Sequence, residues 1–407
     1  MTSTSPFAAG AREPLLSRRF VLLGLASLAY FTADGIAIYA LPLYVTGPVG
    51  AGPAGAGLAF GMFAVSALVL RPFAGRLADT LGRRPLLAAG AALCAVSMIA
   101  TAHVDDLAAI LALRLILGVA EAAFFVAAVA ALADIAPPDR LGEAISISSL
   151  GLYLGLAIGP PVGEAVVSVA GFGTAWYVAG ALGLVSAGLV LVIGETRPST
   201  AGTGGRAPLI HRPSIPLALG FLASVAAMGG FLAYAALRSQ AVGLSTASVP
   251  LIVYGAVVVV CRVVFAKVPD RVSAPLLGTG ALVTIAAGMS LVAASATPTG
   301  LVLGTALLSV GVAFSTPAFF SAILGAAGPA ERGAASGTAS AAIDLGIGGG
   351  PILLGLVAQA AGISWAFAAA AAVAAAGAIW TWTLIGTGPR AISRGPGQPA
   401  DVPIVDN

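Results

Sequence analysis

The chain is a succession of long apolar runs separated by short polar connections. A helix needs about 20 mostly apolar residues to cross a bilayer, and clusters of Gly, Pro and charge mark the breaks between such runs. This criterion predicts six spans in the first half of the chain, at 20–45, 55–76, 84–103, 106–134, 142–166 and 173–194. It predicts six more in the second half, at 214–237, 247–268, 274–294, 298–327, 333–360 and 363–386. The pattern therefore predicts an all-α integral membrane protein with twelve transmembrane helices.

Composition agrees with a membrane protein and excludes several other classes. Of the 407 residues, 59% are hydrophobic and only 9% are charged, whereas soluble domains carry roughly 25% charged residues. The dispersed Lys and Arg argue against a nucleic-acid partner. Cys94 and Cys261 each lie in an apolar run and are expected to be buried thiols. His103 and His211 lie far apart and no phosphate-binding GxxxxGK[ST] loop occurs, so we predict no enzyme activity, no metal and no cofactor.

The positive charges are distributed on one side of the predicted membrane. All but Arg114 and Arg238 of the 19 Lys and Arg residues fall on the side that carries both termini. Short loops with an excess of positive charge are normally cytoplasmic. We therefore predict that the tails 1–19 and 387–407 are cytoplasmic and that the chain resides in the cell's inner (plasma) membrane.

The two halves of the chain are related by a repeat. The polar linker 195–213 separates two predicted six-helix bundles, 20–194 and 214–386. Arg71 and Asp79 recur 191 positions later as Arg262 and Asp270, and the Gly159-Pro160 pair recurs as Gly350-Pro351 at the same offset. Such parallel repeats are typical of secondary transporters whose substrate site lies between the two bundles.

Residues 75–84 carry the most specific local pattern, Gly-Arg-Leu-Ala-Asp-Thr-Leu-Gly-Arg-Arg, between spans two and three. This segment resembles the loop motif of the major facilitator superfamily, and the duplicated twelve-span plan resembles that family's fold over the whole chain. The resemblance implies a cytoplasmic gate, although a merely topology-setting charged loop is the alternative. The predicted gate residues are Gly75, Asp79, Gly82, Arg83, Arg84 and, in a weaker second copy, Arg262 and Asp270.

Ionisable residues inside apolar spans are candidates for proton coupling, because charge at mid-bilayer is costly and such residues are usually functional. Arg114, followed by a Gly four residues later, resembles the family's span-four pattern, and Glu121 lies on the same helix face. By resemblance, this Arg acts on proton transfer in proton-coupled relatives. Asp34 loosely resembles the acidic first-span motif of drug/proton antiporters. Each carboxyl could instead be held by structural partners; the candidates are Asp34, Arg114, Glu121, Glu164 and Asp344.

Span five contains glycines at four-residue spacing, a pattern that allows close helix packing. The row resembles the span-five motif of the superfamily's exporters, which implies antiport, but Glu164 stands where that motif usually ends in Gly. Plain helix packing is the alternative. The residues of this motif are Gly151, Gly155, Gly159, Pro160 and Gly163.

These observations predict a proton-coupled exporter of small apolar or amphipathic compounds, such as drugs, that works by alternating access. Scarce Asn and Gln in the spans make a sugar or metabolite exporter the second choice, and a non-transporting membrane receptor or scaffold is the remote alternative. The expected partners are a small-molecule substrate, protons and the lipid bilayer, and the expected state is a monomer. The candidate cavity walls are Tyr30, Tyr39, Phe124, Tyr234 and Phe319.

Overall fold

The computed structural model describes residues 15–137, 140–197, 210–328 and 331–387; the side chains at 141, 142, 146, 270, 386 and 387 are outside this description. Most of both predicted tails and residues 198–209 of the predicted linker therefore lie outside it. Every regular element within the described ranges is helical. The predicted all-α fold is thus confirmed.

Five helices make up the first half. They are α1 (Arg18–Thr46), α2 (Gly52–Leu81), α3 (Arg83–Thr101), α4 (Leu107–Ile135) and α5 (Leu141–Ile193). The long α5 is interrupted at Gly171, whose φ of 78° and ψ of 174° are not helical. The break separates the predicted spans five and six.

The second half repeats this order. After a single 3-10 turn at Arg212–Ser214 come α6 (Ile215–Ala241), α7 (Val249–Val264), the short α8 (Val268–Arg271), α9 (Ala274–Ala294), α10 (Pro298–Gly325), α11 (Arg332–Ala361) and α12 (Ile363–Thr387). Gly362, at φ 96°, separates α11 from α12, and it lies 191 positions after Gly171. The break inside α5 is therefore the first-half counterpart of a true helix boundary.

The helices match the predicted spans closely. Ten helices of the described chain are long and apolar enough to cross a membrane when α5 is counted once, and Val249–Val264 is a shorter apolar helix. With α5 divided at Gly171, these helices accommodate the twelve predicted spans. The largest difference is at the end of span two, predicted at residue 76, where the helix continues to Leu81.

Helix starts show the repeat in atomic detail. The Asp106 carboxylate accepts a hydrogen bond from the Ala109 N–H at 2.9 Å and begins α4. The Thr297 hydroxyl accepts one from the Gly300 N–H at 3.3 Å and begins α10. These two caps are again 191 positions apart, and each satisfies an N–H that the helix itself leaves without a partner.

Each half is a bundle with the same internal contacts. α1 packs on α5, α2 on α4, and α3 on α4 and α5; correspondingly α6 packs on α11, α7 on α10, and α9 on α10 and α12. The halves meet through α2 with α11 and through α5 with α7, and α1 and α2 also contact α6. We call the side that carries the start of α1 and the end of α12 the terminal side, predicted to be cytoplasmic, and the other the opposite side.

Small residues bring α1 and α5 close together. The glycine row of α5 lies against α1: Gly151 faces Gly24, Gly155 faces Phe31, Gly159 faces Gly35, and Gly163 faces Ile36. A Cβ atom at Gly159 would lie 2.5 Å from the Gly35 Cα. Only glycine fits at this crossing, which fixes the position of Asp34 beside it on α1.

Candidate functional site

A group of ionisable side chains lies at the centre of the first bundle. Asp34 on α1 and Glu121 on α4 are electrostatic neighbours, and both lie near Arg114. Arg114 is buried, donates from Nε to the Ala59 carbonyl at 3.2 Å, and its guanidinium carbon is 5.4 Å from the centre of the Phe63 ring. Asp34 is only half-buried at mid-helix. The structure thus brings three of the predicted proton-coupling residues together.

Aromatic side chains cover one side of this group. Tyr30 and Phe124 are fully buried and stack with their ring centres 4.0 Å apart. The Tyr30 hydroxyl faces Glu121 and lies near Asp34 and Cys94, but none of these groups meets the geometry of a hydrogen bond with it. A buried hydroxyl without a partner next to two carboxyls is a place where a proton or a water molecule can be accommodated.

An ion pair extends the charged group into the second bundle. Arg71 on α2 places Nε 2.7 Å from an Asp344 carboxylate oxygen on α11, and the two side chains are only 16% and 4% exposed. The Arg71 guanidinium also lies 4.9 Å from the centre of the Phe125 ring, and Glu121 is within electrostatic reach of both partners. The charges therefore form a path from Asp34 across the interface to Asp344.

The repeat counterpart of Arg71 has a different environment. Arg262 on α7 places its guanidinium 4.2 Å from the centre of the Tyr153 ring on α5. Its Nε and Nη2 atoms are shielded from solvent and have no hydrogen-bond partner. At this position the second interface therefore has, among the described side chains, an arginine without an acid beside it.

Two sets of hydrogen bonds close the interface on the opposite side. The Glu164 carboxylate on α5 accepts from the Ala247 N–H at 2.6 Å and from the N–H and hydroxyl of Ser248 at 3.0 and 2.5 Å, just before α7 begins. The Tyr234 hydroxyl on α6 lies 3.1 Å from the Pro53 carbonyl of the other bundle and 3.0 Å from the Pro351 carbonyl. Glu164 therefore lies apart from the Asp34 group, beside Tyr39.

The charged segment 75–84 ties together helices of its own bundle. Buried Arg83 pairs through Nε with Asp134 at 3.0 Å and through Nη1 with exposed Asp79 at 2.8 Å. Arg84 donates to the Leu191 carbonyl at 2.9 Å. All hydrogen bonds described for this segment remain within the first half, so in this conformation it connects α2, α3, α4 and the end of α5.

Glu195 completes this charged cluster. Its carboxylate accepts from the backbone N–H groups of Arg83 and Arg84 at 2.9 and 3.2 Å and from those of Thr196 and Arg197. Partial burial raises the pKa of Glu195, but these hydrogen bonds outweigh it and the pKa is lowered overall. Gly82, at φ 104°, allows the close approach, because a Cβ there would lie 2.8 Å from the Glu195 carboxyl carbon.

The remaining predicted site residues are placed as follows. Phe319 is fully buried within the second bundle, against Phe221. Gly75 lies on the terminal-side part of α2, where a Cβ would meet only Val126, at 4.0 Å. The backbone of Asp270 lies in the short α8, and its side chain is outside the described part of the chain. Cys94 and Cys261 are buried and free, as predicted.

Sequence reasoning missed three partners. Asp134 lies at the end of span four, where the sequence does not distinguish a partner of Arg83 from an ordinary charged residue at a helix end. Nothing in the local sequence marks Tyr153, but the repeat offset of 191 makes it the counterpart of Asp344. Arg71 enters the sequence analysis as a topology-setting cation and as a marker of the repeat with Arg262, but not as the partner of Asp344, with which it forms a buried pair.

Comparison with known proteins agrees with this architecture. An uncharacterized MFS-type transporter of Burkholderia pseudomallei is 29% identical over 360 residues, which cover 84% of this chain and 85% of that protein. The structure of the nucleoside transporter NupG superposes with a TM-score of 0.76 at 16% identity, covering 90% of this chain and 100% of that one. The human organic anion transporter MFSD10 superposes with a TM-score of 0.68 at 18% identity, covering 89% and 99%. The family model described as Major Facilitator Superfamily matches residues 23–348. The chain belongs to the Major Facilitator Superfamily and is a multi-pass membrane transporter.

Proposed function

We propose that this transporter exports small apolar or amphipathic compounds in exchange for protons, by alternating access of the bundles 20–194 and 214–386. The observation that carries the proposal is the path of acids and arginines that runs from half-buried Asp34, with Glu121 and Arg114 in the first bundle, to the buried Arg71–Asp344 pair at the bundle interface. Carboxyls that neighbour one another away from water are well suited to take up and release protons.

Protonation acts on the contacts between the bundles. A proton on Asp344 removes the charge that holds Arg71, so the α2–α11 contact weakens. A proton on Asp34 or Glu121 leaves Arg114 as the dominant charge of the central group and passes the change on toward Arg71. On the opposite side, a proton on Glu164 weakens its hold on the start of α7. Each of the four acids thus biases the equilibrium between the two conformations.

The substrate is expected to be apolar because aromatic and aliphatic side chains surround the charged group. Tyr30, Phe124 and Phe125 lie beside it. In the proposed orientation the terminal side is cytoplasmic, which is supported by the exposed cations Arg76, Arg84, Arg212, Arg271 and Arg332 on that side. The proposed unit of transport is a monomer, because the two bundles that alternate belong to one chain.

The test is proton flux in proteoliposomes that hold the purified protein and an internal pH dye. Addition of a transported drug to vesicles with an imposed pH gradient is expected to dissipate the gradient. Asp34→Asn should lose this coupled flux while its expression is unchanged. The matched control is Asp105→Asn, which removes an exposed acid from the α3–α4 connection and should retain flux.

The substrate panel separates the alternatives. A broad set of apolar drugs without any coupled proton flux would overturn the antiport proposal. Sugars or nucleosides that move while drugs do not would establish a metabolite exporter of the same family. Full coupled activity of Asp34→Asn would remove Asp34 from the mechanism.

A further inference from the structure

A buried histidine that the proposed transport cycle does not use lies where the linker ends. His211 immediately precedes the 3-10 turn Arg212–Ser214, just before α6, and is only 5% exposed. Its backbone N–H donates to the Thr338 hydroxyl on α11 at 2.8 Å. The residue is therefore packed against the second bundle at its terminal side.

Both ring nitrogens of His211 have a polar group beside them. Nδ1 lies 2.7 Å from the Ser214 hydroxyl oxygen, and Nε2 lies 3.6 Å from a carboxylate oxygen of Glu331, just before α11 begins. The Ser214 hydroxyl also lies 3.2 Å from the Ile323 carbonyl in the last turn of α10, to which it can donate. A chain of contacts thus runs from α10 through the ring to the start of α11.

The number of protons on the ring decides how many of these contacts are made at once. A serine hydroxyl has one hydrogen, and a neutral imidazole has one N–H. If Ser214 donates to Ile323, a neutral ring must donate from Nδ1 to Ser214, and Nε2 then faces the Glu331 carboxylate with a lone pair. If the neutral ring donates to Glu331 instead, Ser214 must donate to Nδ1, and the helix-end carbonyl of Ile323 loses this donor. A protonated ring has both N–H groups and satisfies all three contacts.

The charged neighbours of the ring are few. Of the charged side chains that the structure describes, Glu331 is the one placed against the ring, and its carboxylate can pair only with a protonated ring. Arg212 and Arg332, the nearest cations along the chain, are exposed. α10 contributes the Ile323 carbonyl, and α11 itself contributes the neutral Thr338 hydroxyl. The complete set of contacts therefore depends on the proton of the ring.

We propose that His211 is a pH-sensitive anchor, which fastens the end of the linker to α10 and α11 while its ring is protonated and loosens when the ring loses its proton. Histidine changes its charge between about pH 5 and 8. Acidic conditions on the terminal side thus complete the contacts, and the stabilisation is lost as pH rises. The other end of the linker is fastened to the first bundle, where Arg197 donates to the Asp79 and Thr80 carbonyls.

The anchor acts on the helix that carries the buried acid of the bundle interface. Thr338 and Asp344 lie six positions apart on α11, so a fastened linker stabilises the terminal-side start of this helix, and a loosened linker gives it more freedom. The inference is independent of the proposed antiport, because His211 lies outside the predicted span 214–237 and its proton is not carried across the membrane.

The experiment is hydrogen exchange of the purified full chain, followed by mass spectrometry at about pH 5.5 and about pH 8, on either side of the range in which histidine titrates. The reporters are the His211 and Ser214 amides, which donate to Thr338 and to the His211 carbonyl. After correction for intrinsic rates, their exchange in wild type should be about five-fold faster at the higher pH, because the partner carboxylate is largely exposed. The Gly300 amide at the start of α10, which Thr297 caps, should show no such step.

Three variants assign the step. His211→Gln should remove it. Glu331→Gln keeps an oxygen acceptor but loses the charge, so its step should be smaller. The matched control is His103→Gln, which removes the exposed histidine of the opposite side and should keep the full step.

Several outcomes would overturn the proposal. They are the absence of a step in wild type, an equal step in His211→Gln, and a step of full size in Glu331→Gln. A parallel acceleration at Gly300 would show that the whole protein loosens at the higher pH, and would overturn a local anchor as well.

Discussion

The two contacts between the bundles, α2 with α11 and α5 with α7, are repeats of each other with the halves exchanged. Arg71 corresponds to Arg262, and Asp344 corresponds to Tyr153, both at an offset of 191. The first interface has an ion pair of 2.7 Å, and the second has a guanidinium over an aromatic ring. The same backbone arrangement therefore holds one interface by charge and the other by stacking.

At the opposite-side ends of the two interfaces, the acid lies in the α5–α7 contact instead of the α2–α11 contact. At the start of α7, Glu164 accepts hydrogen bonds from Ala247 and Ser248. At the start of α2, the neutral Gln359 accepts one from the Ala54 N–H at 3.5 Å. Among the described side chains, each interface thus carries one acid: Asp344 is buried at mid-depth in the first, and Glu164 lies near the surface in the second. In the proposed mechanism, these acids make the two contacts of the repeated scaffold sensitive to protons at different depths.

The largest effect is expected from removing the buried acid. Asp344→Asn leaves Arg71 in the interior without its charge partner, which should cost about 3 kcal/mol of unfolding free energy. Tyr153→Phe at the equivalent position should cost far less, because the ring remains under Arg262. Chemical denaturation in mixed micelles measures both, and equal losses would contradict the assigned difference between the interfaces.

A double variant isolates the pair itself. Arg71→Gln combined with Asp344→Asn removes both charges, so its loss should be at least about 1 kcal/mol smaller than the sum of the single losses. Strict additivity would mean that Arg71 and Asp344 do not interact despite their 2.7 Å separation.

The sequence predicts the helices and their repeat better than the contacts between the two bundles. Apolar run lengths and charge clusters locate the spans, because the bilayer sets helix length. The recurrence of Arg71 as Arg262 indicates the repeat. The sequence does not indicate that Asp344 of one half meets Arg71 of the other, because that contact depends on how two bundles dock. For the same reason Glu164 reads as an exception within a glycine row, although in the structure it caps a helix of the other bundle.

A second pair of equivalent positions tests the packing of the two interfaces. Gly348 faces Ala64 across α2–α11, and Gly255 faces Ala157 across α5–α7, again at an offset of 191. Gly255→Val would overpack the second contact, at a cost of about 1–3 kcal/mol, and should separate α5 from α7. Labelling of buried Cys261 by a membrane-permeant maleimide should then rise about ten-fold.

The chain contains its own controls for that experiment. Cys94, buried in the first bundle, should label no faster in Gly255→Val. Gly348→Val, which opens the other interface, should leave Cys261 slow. Faster labelling of both thiols in either variant would indicate general loosening rather than a separable contact.

Two substitutions at the opposite-side ends of the interfaces should have smaller effects on stability, and the two effects should have opposite signs. Glu164→Gln keeps an oxygen acceptor but removes the charge near the N–H groups at the start of α7, which should cost about 0.3–1 kcal/mol. Gln359→Glu adds a charge at the start of α2 and should gain a similar amount. High salt should diminish both changes in denaturation experiments; a loss in both variants would contradict the helix-end interpretation.

The smallest expected effect concerns the start of α3, where the halves again differ. Glu195 accepts hydrogen bonds from the first N–H groups of α3, whereas α9, the repeat counterpart of α3, begins after Ser273 without a side-chain hydrogen bond at its start. Because the pKa of Glu195 is lowered in the folded protein, its contribution is complete above the pKa of an unfolded glutamate, about 4.3. The contribution is lost as pH falls through the lower folded pKa.

Hydrogen exchange at Arg83 and Arg84, corrected for intrinsic rates, should accelerate in that acidic range in wild type. Glu195→Gln should exchange faster already at pH 7 and show no such step, and the first turn of α9 should be indifferent to the variant. A step that persists in Glu195→Gln would show that Glu195 is not responsible for it and leave Glu195 as an incidental cap.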